Sequence, residues 1–155
     1  MLHDGKLVIR DYPIEVIAAD AMEDLLRLFE GLIRFEDTVA AVEVPKDDLA
    51  MAQTMDEIMM TVDRCLIAYI EEESVGMMLI HKGEPYDIGS LFIVEDRRGQ
   101  GIGQLLIEYL QRDHPTKPLT VNCYKGNTRA LQFYHQLGFV FTEHGMVMKG
   151  MRSAI

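Results

Sequence analysis

Apolar positions along the chain change period several times, and each change marks an element. Leu7 to Ala19 reads as a strand, with Val8, Ile9, Val16 and Ile17 apolar and Pro13 interrupting it, as on an edge strand. Asp20 can cap a helix over Ala21 to Ile33, where Met22, Leu25, Leu26, Phe29, Leu32 and Ile33 form one apolar face. Phe35 to Val44 carries β-branched residues without a clear period and reads as a connection. Pro45 and Lys46 open a second helix, with Asp47 and Asp48 suited to its first turn. On it Met51, Met55 and Met59 form a stripe, either core filling or the deformable wall of a pocket.

Cys65 to Ile70 and Val75 to Ile80 read as a hairpin about a solvated turn, Glu71-Glu72-Glu73-Ser74, with Gly76 suggesting a bulge. His81 to Pro85 is the next turn, and His81 reads as an exposed turn histidine before a catalytic one. Asp87 to Val94 is a strand, and the helix from Gly101 ends near Asp113-His114-Pro115, where proline forbids continuation. Leu119 to Tyr124 is a strand. Asn127 or Thr128 caps a helix over Arg129 to Leu137, with Gly138 as its C-cap. Phe139 to Phe141 and Met146 to Met148 read as a closing hairpin about Glu143-His144-Gly145. About seven strands and four helices in mixed order predict a single α+β domain over 1–155 with a central twisted mixed sheet.

Composition narrows the class. At 155 residues, 48% apolar and 26% charged, the chain is expected to be one soluble globular domain with one real core. No apolar run reaches membrane-spanning length. The first residues lack the layout of a signal peptide, so a cytoplasmic protein is expected, away from membranes. Cys65 and Cys123 sit in apolar strand segments, as buried reduced thiols would. No Cys/His cluster has metal-ligand spacing, so no metal is expected. The net charge of −10 argues against nucleic acid as a partner. Residues 1–75 hold 18 acidic and 6 basic residues, whereas 76–155 hold 7 and 9. The acidic excess of the first half serves solubility or draws a cationic acceptor such as an amine.

The chemistry concentrates in IGSLFIVEDRRGQGIGQLLIEYL, Ile88 to Leu110. A buried-type strand, Leu91-Phe92-Ile93-Val94, leads through a charged turn into Arg98-Gly99-Gln100-Gly101-Ile102-Gly103-Gln104 and then a helix. A strand, a glycine loop and a helix make a layout for holding phosphate. The first helical amides have no partner within the helix, the dipole is positive there, and glycines remove β-carbons that would keep a phosphate away. Arg98 adds a cation able to bind phosphate through two hydrogen bonds. A dinucleotide fingerprint would need Gly-x-Gly-x-x-Gly and an acidic residue ending the next strand, and PLTVNCY, 118–124, ends in none.

A second stretch, Asn127-x-x-Ala130-x-x-Phe133-Tyr134-x-x-x-Gly138-Phe139, follows the loop. In motif order and spacing, Ser74 to Val147 resembles the GNAT superfamily of acetyl-CoA-dependent N-acetyltransferases. The resemblance implies their fold, with strands 88–94 and 119–124 splaying apart to form the cleft for acetyl-CoA. It implies an acetyl-CoA-binding core over about 76–150, and the acidic excess of the first half assigns the acceptor side to about 1–75. It implies that Leu91, Phe92, Ile93 and Val94 offer backbone groups to the pantetheine arm and the thioester carbonyl, that Arg98 to Gln104 hold the phosphates, and that Asn127 bonds the pantetheine arm. Tyr134 matches the tyrosine that reaches the cofactor sulfur as general acid, although an aromatic core residue would look the same. Asp87, eleven positions before Arg98, stands where histone-acetylating relatives carry a glutamate base. Asp is a methylene shorter, which favours a bridging water. The expected activity is direct attack of a primary amine on acetyl-CoA, the acceptor being a small cationic amine. A protein or peptide amine, or a non-catalytic acyl-CoA-binding regulatory module, are the alternatives. A homodimer is compatible with this reading.

Overall fold

The structure is a computed structural model that describes residues 6–17, 19–40, 45–81, 83, 86–113, 115–144 and 147–153. Seven strands form one sheet: β1 (Leu7–Pro13), β2 (Val62–Ile70), β3 (Glu73–His81), β4 (Tyr86–Ile93), β5 (Leu119–Tyr124), β6 (Phe139–His144) and β7 (Val147–Arg152). Their spatial order is β1-β2-β3-β4-β5-β7-β6, and every neighbour pair is antiparallel except β4 with β5. The helices are α1 (Ala19–Ala40), α2 (Asp48–Met59), α3 (Ile102–Asp113) and α4 (Thr128–Gln136). Because β4 and β5 are parallel, the chain must cross over between them, and α3 is that crossover.

Strand alternation sorts the core into two layers. Leu66, Ala68 and Ile70 of β2 face α3 and α4 with Met78, Ile88, Leu106 and Phe139. Cys65, Ile67 and Tyr69 face α1 and α2 with Met77, Leu79, Leu25 and Phe29. Covered on both faces, β2 and β3 read as nearly continuous buried runs. The methionine stripe settles as core: Met51 and Met55 are buried against α1, and Met59 packs beside them. Both cysteines are free and buried, and burial pushes the Cys65 thiol up to about 12.

Several boundaries differ from the sequence reading. β2 starts earlier, at Val62, β3 takes in Glu73 and Ser74, and β6 runs through Glu143 and His144, both expected as turn. The first helix runs from Ala19 to Ala40, so Asp20 lies inside its first turn and Phe35 to Ala40 continue the helix instead of connecting. Phe35 lies three residues beyond Leu32, prolongs the apolar face and packs into the same core layer, so tertiary burial outweighs the β-branched residues that follow. The second helix opens later than expected, at Asp48, because Asp47 is its cap: the carboxylate accepts from the Ala50 amide at 2.8 Å. The first strand ends at Pro13 in a short 3-10 turn, Ile14–Val16, and is an edge strand as expected.

The β2–β3 hairpin turns at Glu71 and Glu72, both with positive φ, 52° and 67°. A bulge follows, since Ala68 pairs Gly76 but Tyr69 pairs Ser74. Arg64 ties the sheet edge together, reaching Asp11 of β1 at 2.5 Å and Asp113 of α3 at 2.6 Å. Lys82, Glu84, Pro85, His114 and the tip of the last hairpin at Gly145 lie outside the described residues. No helix among the described residues is long and apolar enough to cross a membrane.

Candidate active site

β4 and β5 pair only at Tyr86–Leu119, Asp87–Thr120 and Ile88–Val121. Beyond those residues the strands part, as the resemblance implies. The cause is local to β4. Leu79 pairs Ser90 and Ile80 pairs Ile88, so Gly89 is an extra residue with no partner on β3. A bulge bends its strand, and this one falls where pairing with β5 stops. Gly89 is required there by contact, because a β-carbon would run into the His81 ring. His81 is itself held by Thr61, whose Oγ1 lies 3.0 Å from Nδ1.

The gap opens into a cavity of about 620 Å³, within the usual size of small-molecule sites. Gly89 to Ile93 and Val121 to Tyr124 form two of its walls. From Gly89 onward the β5-facing edge of β4 has lost its strand partner, so its backbone groups can pair with a ligand. Leu32, Phe35 and Glu36 of α1 and Ala130, Phe133 and Tyr134 of α4 supply further walls. Gly31 lets α1 lie close on β4, where a β-carbon would stand 2.9 Å from the Phe92 ring.

The loop from Arg98 to Gln104 borders the same space, with Gly99, Gly101, Ile102, Gly103 and Gln104 all in the wall. Gly99 and Gly101 adopt φ of 76° and 81°, the left-handed region that suits glycine, with Gln100 between them. Alternation of this kind can turn successive N–H groups toward one anion. α3 then starts at Ile102, presenting its unpaired first amides. Gly103 lets α3 approach α4, since a β-carbon would meet Phe133 at 3.0 Å.

Three of the sequence-predicted residues stand aside: Gln100, Val94 and Asp87. Gln100 is not in the wall, and its buried Oε1 has no partner among the described residues. Val94 is not in the wall either, and its amide donates to Val75 at 2.9 Å. Arg98 is in the wall but turned inward. Its Nε donates to the Ile93 carbonyl at 2.9 Å, and the guanidinium lies over Phe35 and Phe92, 4.9 and 5.5 Å from the ring centres. Burial is the largest influence on Arg98 and lowers its pKa, and the neighbouring Arg129 lowers it further. Arg97 and Arg129 join it, so three cations border one cavity.

Tyr134 lies in the wall and is 5% exposed. Its ring packs edge-on to Phe133 and Phe139, with centroids 5.2 and 5.3 Å apart. Burial raises its hydroxyl well above the ordinary tyrosine range, and Cys123 beside it adds to that. The group is therefore a protonated donor at neutral pH. Asn127 caps α4, its Oδ1 accepting from the Ala130 amide at 3.2 Å, which leaves its side-chain NH₂ for the cavity it borders. Asp87 does not line the cavity. It sits in the part of β4 still paired to β5 and accepts from Thr120 Oγ1 at 2.6 Å.

Sequence reading missed Glu36. It is the only carboxylate in the cavity wall among the described residues, and burial pushes it up to about 6. Its charge is felt on β5, where it helps raise Cys123, up to about 11, and Tyr124, burial being the larger cause for both. The available signal was position: Leu32, Phe35 and Glu36 share one helical face once the helix is known to continue.

A mixed sheet split between two parallel strands, with a glycine loop at the split, defines the acyl-CoA N-acyltransferase class. The profile of the acetyltransferase (GNAT) domain matches residues 35–154, and the chain belongs to this family. It is 44% identical over 72 residues to the peptidyl-lysine N-acetyltransferase YjaB of Salmonella typhimurium. That alignment covers 46% of each protein, so the chain spans about half the length of the curated relatives it matches. Similar folds include an acetyltransferase from Thermus thermophilus, with TM-score 0.72 and 20% identity over 94% of this chain and 96% of that one. Another is the PaiA N-acetyltransferase of Thermoplasma acidophilum in complex with coenzyme A, with TM-score 0.69 and 14% identity over 96% of this chain and 99% of that one.

Proposed function

We propose that the protein transfers an acetyl group from acetyl-CoA to a primary amine by direct attack, without a covalent enzyme intermediate. The observation that carries this reading is the end of β4–β5 pairing at Ile88 and Val121, beside a phosphate-type loop. The thioester supplies an activated acyl group. The opened edge of β4 at Leu91 to Ile93 pairs with the pantetheine amides and offers an amide hydrogen to the thioester carbonyl. Amides of Gly99 to Gly103 hold the pyrophosphate, with Arg97 and Arg129 as nearby cations. Asn127 donates its side-chain NH₂ to the pantetheine arm while still capping α4. Tyr134 gives a proton to the leaving sulfur.

Two features favour a lysine side chain of a protein or peptide over a polyamine or aminoglycoside. The similar curated proteins are peptidyl-lysine acetyltransferases. One carboxylate in the described cavity wall also matches one ammonium, whereas a polycation would call for several. A purely regulatory acyl-CoA-binding module would need no proton donor, and the protonated Tyr134 in the wall supports catalysis instead.

Calorimetry should show 1:1 binding of acetyl-CoA and none of NAD. Thiol release should then be followed with a lysine peptide, a polyamine and an aminoglycoside. The lysine peptide should give the highest kcat/KM. Binding of acetyl-CoA with no thiol release from any amine would point to the regulatory module, and binding of NAD alone would overturn the site assignment.

A further inference from the structure

We propose that Glu36, near the C-terminal end of α1, is the residue that receives the acceptor: its carboxylate holds the acceptor ammonium and takes its first proton. The inference rests on the reading of the cavity as an acetyl-transfer site. Asp87 is the other carboxylate considered for this task. It is outside the wall, in the closed part of the sheet, with Thr120 donating to it at 2.6 Å. Glu36 is in the wall, half-buried, and has no hydrogen-bond or ion-pair partner among the described residues. A half-buried carboxylate facing a cavity without a partner fits a cationic ligand.

Position supports the same role. Glu36 acts on Cys123 and Tyr124 of β5, and Cys123 in turn acts on Tyr134. Glu36, Cys123 and Tyr134 all line the same cavity. The titratable and charged groups that share the wall with Glu36 are Cys123 and Tyr124, Arg129 and Tyr134 of α4, and Arg97 and Arg98 at the loop, with Arg98 held over Phe35 next to Glu36 in the chain. With phosphates engaging the loop, Glu36 is the negative charge left for the acceptor.

The proton balance closes. The amine arrives as an ammonium and gives its first proton to Glu36, which passes it to water. The nitrogen lone pair forms the bond to the carbonyl carbon, and the carbon–sulfur bond breaks. The second nitrogen proton replaces the one Tyr134 gives to sulfur, so one proton is released per turnover. A carboxyl raised to about 6 by burial is a better proton acceptor than an ordinary glutamate, yet is ionised at pH 7.

The test compares wild type with Glu36→Gln, Glu36→Asp and, as a control on the same helix, Glu30→Gln, whose residue is half-buried, away from the cavity wall and paired with Arg34. Glu36→Gln should bind acetyl-CoA like wild type but lose about 10²-fold or more in kcat/KM with a lysine peptide. It should also lose the acid limb that wild type shows near pH 6. Glu36→Asp should recover part of the rate, and Glu30→Gln should match wild type. A second reading does not need turnover. The CoA-bound wild type should bind Nα-acetyl-lysine methylamide at least tenfold more tightly than CoA-bound Glu36→Gln. Equal binding, or no binding by the wild type, overturns the proposal. So does an acid limb that survives in Glu36→Gln but vanishes in Asp87→Asn. Failure to bind acetyl-CoA, by contrast, overturns the reading of the site itself.

Discussion

Tyr134 meets two demands with one side chain. Its ring fills core between Phe133 and Phe139, the residue lines the cavity, and in the proposed reaction its hydroxyl gives a proton to sulfur. The two can be separated. Tyr134→Phe keeps the ring contacts, so thermal stability and acetyl-CoA affinity should stay near wild type. Turnover should fall by about 10²–10⁴-fold, the usual worth of a positioned proton donor. Because burial holds the hydroxyl above its ordinary range, wild-type turnover should show no alkaline loss from this group below about pH 10. Unchanged single-turnover rates in Tyr134→Phe would remove it from the mechanism. Arg98, by contrast, is held by structural contacts. It looked like a free phosphate cation in the sequence, yet its guanidinium joins the floor at Ile93 to the α1 wall at Phe35.

At the scale of elements, the site is made where regular structure is interrupted. The Gly89 bulge opens the sheet, the glycine loop starts α3 at the opening, and Asn127 starts α4 opposite. Asn127 allows the structural and ligand roles of a cap to be measured apart. Asn127→Asp keeps an oxygen for the Ala130 amide but removes the NH₂ donor, so it should melt near wild type while binding acetyl-CoA more weakly. Asn127→Ala loses both and should also cost about 1 kcal/mol of stability, the usual value of a helix N-cap. Denaturant unfolding together with calorimetry on the two variants checks this. Equal acetyl-CoA affinity in both variants and wild type would leave Asn127 as a cap alone.

At the scale of the molecule, a working carboxylate in a poorly hydrated wall costs stability. Burial raises Glu36 from 4.5 to about 6, so the folded chain holds its proton to higher pH than the unfolded chain does. The unfolded state therefore sheds that proton first, and stability contributed at this site falls as pH rises from about 4.5 to 6, then stays level. The full shift corresponds to about 2 kcal/mol, and partial exposure reduces it to about 1 kcal/mol. Glu36→Gln should be more stable than wild type by about that amount at pH 7. It should also lose this component of the pH dependence between 4.5 and 6 in urea titrations, while being the poorer catalyst. A variant less stable than wild type at pH 7 would mean that the carboxylate has a stabilising partner.

Much of this was written in local sequence. Helix and strand periods, the glycine loop, the Asn127 cap and Tyr134 are short-range features, because each depends on residues within a few positions of one another. The order β1-β2-β3-β4-β5-β7-β6 and the exact end of β4–β5 pairing are not local, since register is chosen by which faces become buried. The same reason hid the last turns of α1. Phe35 to Ala40 has weak helical propensity, and burial of Phe35 against the sheet decides its conformation. Only that decision brings Glu36, more than fifty residues from the loop, into the same cavity as Arg98 and Tyr134. The sequence by itself determined the glycine loop, the Asn127 cap and the aromatic helix that carries Tyr134. The tertiary structure decided which carboxylate faces the cleft, because a side chain's partner across a sheet is set by packing between distant segments and leaves no period in the chain.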